Sequence, residues 1–216
     1  NINNATYTNS SGNYDIGPIK AVSKFESEKY IIDFTSNFAK GEYEGTGKVT
    51  DFIGKIKSLI IYRNFSNMLG NKSEKHLCEN GWTDSGEKGS DYNITLQTFN
   101  TQGIFAPIAP GLYIQDSTYL KMRVTPEDHY RLIVRSGRIA FNQDYLRKVR
   151  IYVTDQDSLM YTRLFSQDVR VRGFKVDSAM LVSTGRNNLM DVSIRFRNDS
   201  TGTNNTHMNA LVSFLR

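Results

Sequence analysis

The sequence predicts an α+β fold, with one or two N-terminal helices packed on a mainly antiparallel β-sheet of seven to eight strands. Three observations predict it. Apolar residues recur at three- and four-residue steps up to about residue 70, and at every second residue from about residue 93. The stretch between them, NKSEKHLCENGWTDSGEKGSDY, is charged and dotted with glycine, as a long loop would be. At 216 residues the chain is long enough for one sizeable core. It reads as a flexible polar linker over 1–17 and a single globular domain over 18–216. Within that domain lie a helical part (18–70), a loop (71–92) and a β-rich part (93–216).

NINNATYTNSSGNYDIG carries too few apolar side chains to pack by itself, hence the linker. Pro18 suits a first helical turn. Ile19, Val22 and Phe25, then Ile31, Phe34 and Phe38, follow helical steps up to Gly41, which points to one kinked helix over about 19–39; KYIIDF fits a strand as well. A second helix is predicted from Thr50, a capping residue, to Gly70, with Phe52, Ile53, Ile56, Leu59 and Ile60 as its apolar stripe.

Strand alternation then takes over. Ile94/Leu96, Leu120/Met122/Val124 before Pro126, Val149/Ile151/Val153, Val192/Ile194/Phe196 and Leu211/Ser213/Leu215 each mark one face of a strand. In HYRLIVRSGRIAF, a two-residue turn at Ser136-Gly137 sets Arg135 opposite Arg138 and Val134 opposite Ile139. In LFSQDVRVRGFKV the apolar parity changes at Gly173. A bulge there lets Val169, Val171, Phe174 and Val176 face the core, with Arg170, Arg172 and Lys175 on the wet side.

Charge is uneven along the chain. Residues 119–216 hold 16 Lys+Arg against 9 Asp+Glu, whereas residues 1–118 hold 11 against 13. Such asymmetry points to an anionic partner or to a solvated sheet face. The cations are dispersed singly along strands, which favours the solvated face. Arg170, Arg172, Lys175, Arg195 and Arg197 form the one candidate interaction face, expected to bind polyanions weakly and without specific nucleic-acid recognition.

Catalytic signatures are missing from the sequence: it has no G-x-S-x-G, H-E-x-x-H, Walker loop or paired C-x-x-C. Cys78 is the only cysteine and cannot form an internal disulfide. His76 and Cys78 offer two metal ligands, with His129 and His207 far along the chain. Asp155-Gln156-Asp157 starts like a Ca²⁺ loop without its glycine and closing Glu, so a hairpin turn is the default reading. GEYEGTG lacks a phosphate-loop spacing. The expectation is a non-enzymatic protein with no catalytic residues, metal or cofactor. Sequons stand at Asn4, Asn9, Asn64, Asn71, Asn93, Asn198 and Asn204. No apolar run approaches the ~20 residues of a membrane helix, and the start at Asn1 reads as a processed or trimmed form, so membrane attachment would need a segment outside this chain.

The C-terminal third, SGRIAFNQDYLRKVRIYV, LFSQDVRVRGFKV, LMDVSIRFRND and the terminal MNALVSFLR, resembles the end of type IV pilin-like minor pilins and pseudopilins of the J/W type, over about residues 130–216. The family's N-terminal apolar helix is not in this chain, and residues 19–39 would be its globular-side remnant. The resemblance implies an extracellular or cell-surface location and a structural subunit of a surface filament, a type IV pilus or pseudopilus. Its β domain would contact other filament subunits, or itself, or a surface. The alternative is a β-rich viral or phage capsid subunit, which the short strands and basic half also suit.

Overall fold

Strand alternation, rather than helical spacing, organises the chain from its first residues. In a computed structural model, which describes residues 1–9, 12–49, 91–101, 105, 109–127, 129–156, 159–186, 189–198 and 205–213, thirteen strands form one antiparallel sheet. They are β1 (Ile2–Asn9), β2 (Gly12–Glu26), β3 (Lys29–Ser36), β4 (Ala39–Gly45), β5 (Tyr92–Thr98), β6 (Leu112–Ile114) and β7 (Tyr119–Val124). Then follow β8 (Tyr130–Phe141), β9 (Asp144–Gln156), β10 (Leu159–Val171), β11 (Phe174–Arg186), β12 (Leu189–Arg197) and β13 (Asn205–Ser213). Each strand pairs with the next in sequence, except that β5 pairs with β7, and the short β6 lies against β8.

The predicted α+β class is therefore corrected to an all-β meander, with thirteen strands in place of seven or eight and no helix among the described elements. The helix expected over 19–39 is β2, the β2–β3 turn and β3. Lys29–Ser36 puts Tyr30, Ile32 and Phe34 on one face, and β-branched and aromatic residues suit that pleat. The helical spacing was accidental: Val22 and Phe25 are 41% and 62% exposed. Of residues 1–17, expected as a flexible linker, 2–9 form β1 and 12–17 the start of β2. Gly17, at φ 77°, and Pro18, which has no amide to donate, coincide with the register shift between Ile2 and Ala5. The helix predicted over Thr50–Gly70 lies outside the described residues, as does the loop predicted over 71–92 except at its end, where Tyr92 opens β5.

Two turn assignments also change. Ser136 and Gly137 are mid-strand in β8; Val134 faces Ile151 and Arg135 faces Arg150, and the real turn is Asn142-Gln143, with Asn142 at φ 54°. A Ser-Gly pair admits a turn, but pairing with β9 runs through it in one register, so Ile139 and Phe141 fall on the face opposite Leu132 and Val134. Gly173 is no bulge: with Arg172 (φ 50° and 82°) it makes the two-residue β10–β11 turn. Val169 faces Val176 and Val171 faces Phe174, so these four do share a face, as expected. Only the inner pair is buried; Val171 and Phe174 are 45% and 54% exposed.

The registers make one face of the sheet apolar. One row runs Ile32, Tyr43, Ile94, Met122, Leu132, Val153; the next runs Tyr30, Gly45, Tyr92, Val124, Tyr130. Tyr43, Tyr92, Met122, Val124 and Tyr130 from these rows form the buried core cluster. Gly45 is required there: a Cβ would stand 2.9 Å from the Tyr92 ring and 2.8 Å from the Tyr43 hydroxyl oxygen. Toward the far edge the same face continues through Leu164, Leu181, Ile194 and Met208, which are half-buried to exposed.

Candidate interaction surfaces

The polar face of the same sheet collects the cations. Pleat alternation sends Lys121 and Arg123 of β7, Arg131 and Arg135 of β8, Arg150 of β9, Arg163 of β10 and Arg195 of β12 to the side opposite the core. Arg123 stands directly opposite Arg131, and Arg135 directly opposite Arg150. Arg150 in turn faces Phe165, and Arg163 faces Tyr152. Ile133, Arg135, Arg150, Tyr152, Arg163 and Phe165 line a groove of about 450 Å³.

Like charges opposite one another destabilise a sheet unless something answers them. Arg123 has Asp91, with Nε 3.7 Å from Oδ1, and Arg131 lies over the Tyr152 ring at 6.0 Å. Among the described residues Arg163 Nη2 reaches only the Met180 thioether, at 3.7 Å. Among the described residues the Arg135 and Arg150 side chains have neither a hydrogen-bond partner nor a counter-ion. A second cationic group is better satisfied. Arg138 and Arg147 each lie 5.2 Å from the Tyr145 ring, and Arg147 Nη1 and the Tyr145 hydroxyl both reach Asp168, at 3.0 and 3.1 Å.

The sequence-predicted face divides in two. Arg170 pairs with Lys175 near the tip of the β10–β11 hairpin, and Arg172 is in its turn. Arg195 and Arg197 lie on β12, opposite Met180 and Ser178, and line a separate groove with Phe165, Phe196 and His207. All five are exposed. The denser group, Arg135, Arg150 and Arg163, was missed. Its signal was present in the alternation of Arg131-Ile133-Arg135 and Arg150-Tyr152. Finding it required the β8–β9 register, which the Ser136-Gly137 turn misplaced.

A smaller cleft of about 360 Å³ opens at the ends of β7, β8 and β9, lined by Arg123, Thr125, His129, Tyr130, Arg131, Thr154 and Asp155. Asp155 is 5% exposed; its Oδ1 accepts the Tyr130 amide, and its Oδ2 is 3.9 Å from His129 Nδ1. Thr154 Oγ1 donates to the Tyr130 carbonyl at 3.0 Å. These bonds staple the β8–β9 strand ends. Asp155 thus belongs to a strand terminus, and residues 157–158 of the D-x-D stretch, like His76 and Cys78, lie outside the described residues. Among the described residues no group of three His, Cys, Asp or Glu side chains could hold a metal ion. Beyond the end of β7, Glu127 is held below the usual carboxylate value of 4.5, first by the nearby Thr125 hydroxyl and then by a backbone amide.

The last surface is an edge. β13 keeps an unbroken register with β12 from Arg197↔Asn205 to Leu189↔Ser213 and pairs with no other described strand. Its sequence, NTHMNALVS, has no Lys, Arg, Asp, Glu or Pro. Every residue from His207 to Ser213 is exposed, with Met208 at 48% and Leu211 at 70%. Leu211, expected on the core side, is on the polar face, and Met208, Ala210 and Val212 hold the apolar one.

Comparison with protein-family models, curated proteins and solved structures finds no match to this chain.

Proposed function

We propose that the protein is a non-enzymatic structural subunit that joins its assembly by strand addition at β13. The observation that carries this reading is the edge itself. Solvated sheet edges are ordinarily blocked by charge, proline, a bulge or a covering element, because unpaired amides and carbonyls recruit other strands. β13 has nine residues in regular register, none of those charges and apolar side chains on both faces. Two copies of β13 pairing antiparallel about Asn209 set Met208 beside Ala210 and Thr206 beside Val212. The apolar rows of β12 then continue into the second copy. The His129–Asp155 cleft is compatible with this role, since Asp155 Oδ1 and Thr154 Oγ1 in it are engaged in holding strand ends.

Of the two assemblies raised by the sequence, a β-rich shell is favoured over a helix-based surface filament. The observation behind that preference is that residues 19–36, the proposed remnant of the filament helix, are strand apart from the β2–β3 turn. Sedimentation velocity over a concentration series tests the edge. The expected result is reversible association with a dissociation constant on the order of 10–100 μM, abolished by Ala210→Lys with Val212→Lys at unchanged melting temperature. A wild type that stays monomeric throughout that range overturns the reading.

A further inference from the structure

The apposition of Arg135 with Arg150 points to a ligand. We propose that the polar face of β7–β10 binds single-stranded nucleic acid without sequence preference, with Arg135, Arg150 and Arg163 on phosphates and Tyr152 and Phe165 as stacking surfaces. The reading is independent of the β13 edge.

Three observations carry it. First, the charges are concentrated and, among the described residues, unanswered: Arg135 and Arg150 are exposed and directly opposite, and Arg163 has only a thioether within reach. Cβ atoms of such a pair are about 5 Å apart, so two guanidinium forks converge on one anionic group or on two consecutive ones. Guanidinium matches phosphate bidentately and keeps its charge at any physiological pH. Second, the charges alternate with rings on the same face. Arg150 is followed across the sheet by Phe165, and Tyr152 by Arg163, with Tyr161 edge-on to Tyr152 at a ring separation of 6.0 Å. These rings are half-buried, so each is fixed by its neighbours and still presents a surface. Third, the groove lies on the solvent-facing side of an open sheet, a placement that admits a chain passing across it.

The combination selects among anions. A sulfated polysaccharide or an anionic lipid surface would use the arginines and leave the rings idle. A duplex hides its bases within the stack. Unpaired bases stack on aromatic and guanidinium planes while their phosphates meet the cations, as on other sheet platforms for single strands. Nothing in the groove offers the fixed donors and acceptors of base-edge readout, so binding is indifferent to sequence.

The test is fluorescence anisotropy of a labelled oligothymidylate with the whole chain at about 50 and 200 mM salt, repeated with duplex DNA and heparin as competitors. The wild type is expected to prefer the single strand to the duplex. Arg135→Ala with Arg150→Ala should weaken binding at least tenfold and reduce the salt slope by about 1.4, the value for two single-strand phosphate contacts. Tyr152→Leu with Phe165→Leu should weaken oligothymidylate binding and leave heparin binding unchanged. Arg170→Ala with Lys175→Ala removes equal charge elsewhere and should leave affinity within about threefold. The proposal is overturned by any of three results: no binding at the lower salt, equal loss in the Arg170/Lys175 variant, or no effect of the ring substitutions. Because Arg135 and Arg150 are exposed and mutually repulsive, their removal should not lower the melting temperature, which separates lost binding from lost fold.

Discussion

The Arg172 amide donates to Asp144 Oδ1 at 2.7 Å, tying the β10–β11 turn to the first residue of β9. Arg172 has φ 50°, a left-handed conformation that costs a residue with a Cβ about 1–2 kcal/mol relative to the right-handed one. The Asp144 carboxylate answers the amide that this geometry exposes. Asparagine tolerates that region and fits the first position of a two-residue turn ahead of Gly173. Arg172→Asn is expected to stabilise the protein by roughly 0.5 kcal/mol, and Asp144→Ala to destabilise it by roughly 1 kcal/mol. Urea unfolding midpoints check both. An Asp144→Ala protein as stable as the wild type would show the turn to be self-sufficient.

Glycines at two strand positions should respond very differently to alanine. A Cβ at Gly41 would sit 2.6 Å from the Thr95 carbonyl oxygen and 3.1 Å from Leu96 Cδ1, both in the paired strand β5. Backbone cannot yield there as a side chain can, so Gly41→Ala should cost about 1–3 kcal/mol. At Gly137 the contact is the Gln115 amide end at 2.5 Å, which can swing away. Gly137→Ala is expected to change stability by no more than about 0.5 kcal/mol. Thermal melts of the two variants side by side test the ordering.

Much of this was legible in the chain from residue 93 onward, because strands with one apolar face announce themselves by parity. Met122/Val124, Ile151/Val153 and Ile194/Phe196 fall on the face their alternation assigned. What misled were turns and register. Ser27 and Glu28 turn the chain at φ 51° and 63° without glycine, so β2 and β3 carried no hairpin signature between them. Val22 and Phe25 then completed a false helical spacing. The candidate arginine site depends on pairs such as Arg135 and Arg150, which are 15 residues apart and meet only through a register that no local pattern specifies.

The core cluster makes a sharper demand. Met122 is 3% exposed, and its neighbours across the sheet are Ile94 and Leu132. Met122→Ala should destabilise by about 2–5 kcal/mol. The equivalent truncation at Met208, 48% exposed on the last strand, should cost less than about 0.5 kcal/mol. Denaturant titration distinguishes the two; equal losses would mean that the apolar face is covered as fully at β13 as at β7.

Lys29 provides a pH-dependent contribution. Its Nζ is 2.7 Å from Glu44 Oε1, and that hydrogen bond, then the carboxylate's charge, raises its pKa above the ordinary 10.5. A raised lysine favours the fold at every pH below its unfolded value and ceases to do so as pH climbs through the folded value. Stability of the wild type should therefore fall in strongly alkaline solution. Lys29→Met should be less stable than the wild type at neutral pH and show a shallower decline above about pH 10. Parallel decline curves for the two proteins would remove Lys29 from the account.

The hydrogen-bonding order of the sheet follows the order of the chain almost strand for strand, β6 aside. Apart from the long connections between β4 and β5 and between β5 and β7, pairing of that kind asks for short loop closures, so structure can spread from hairpin to hairpin within β1–β4 and within β7–β13. Opening can run the same route backwards. β13 has a single described neighbour and the most exposed side chains, so its amides should exchange with solvent first, β12 next, and those of Tyr92 and Val124 last. A meander wired this way frays from its end like a zip, and the strand offered for assembly is also the one whose ordering a partner strand would complete.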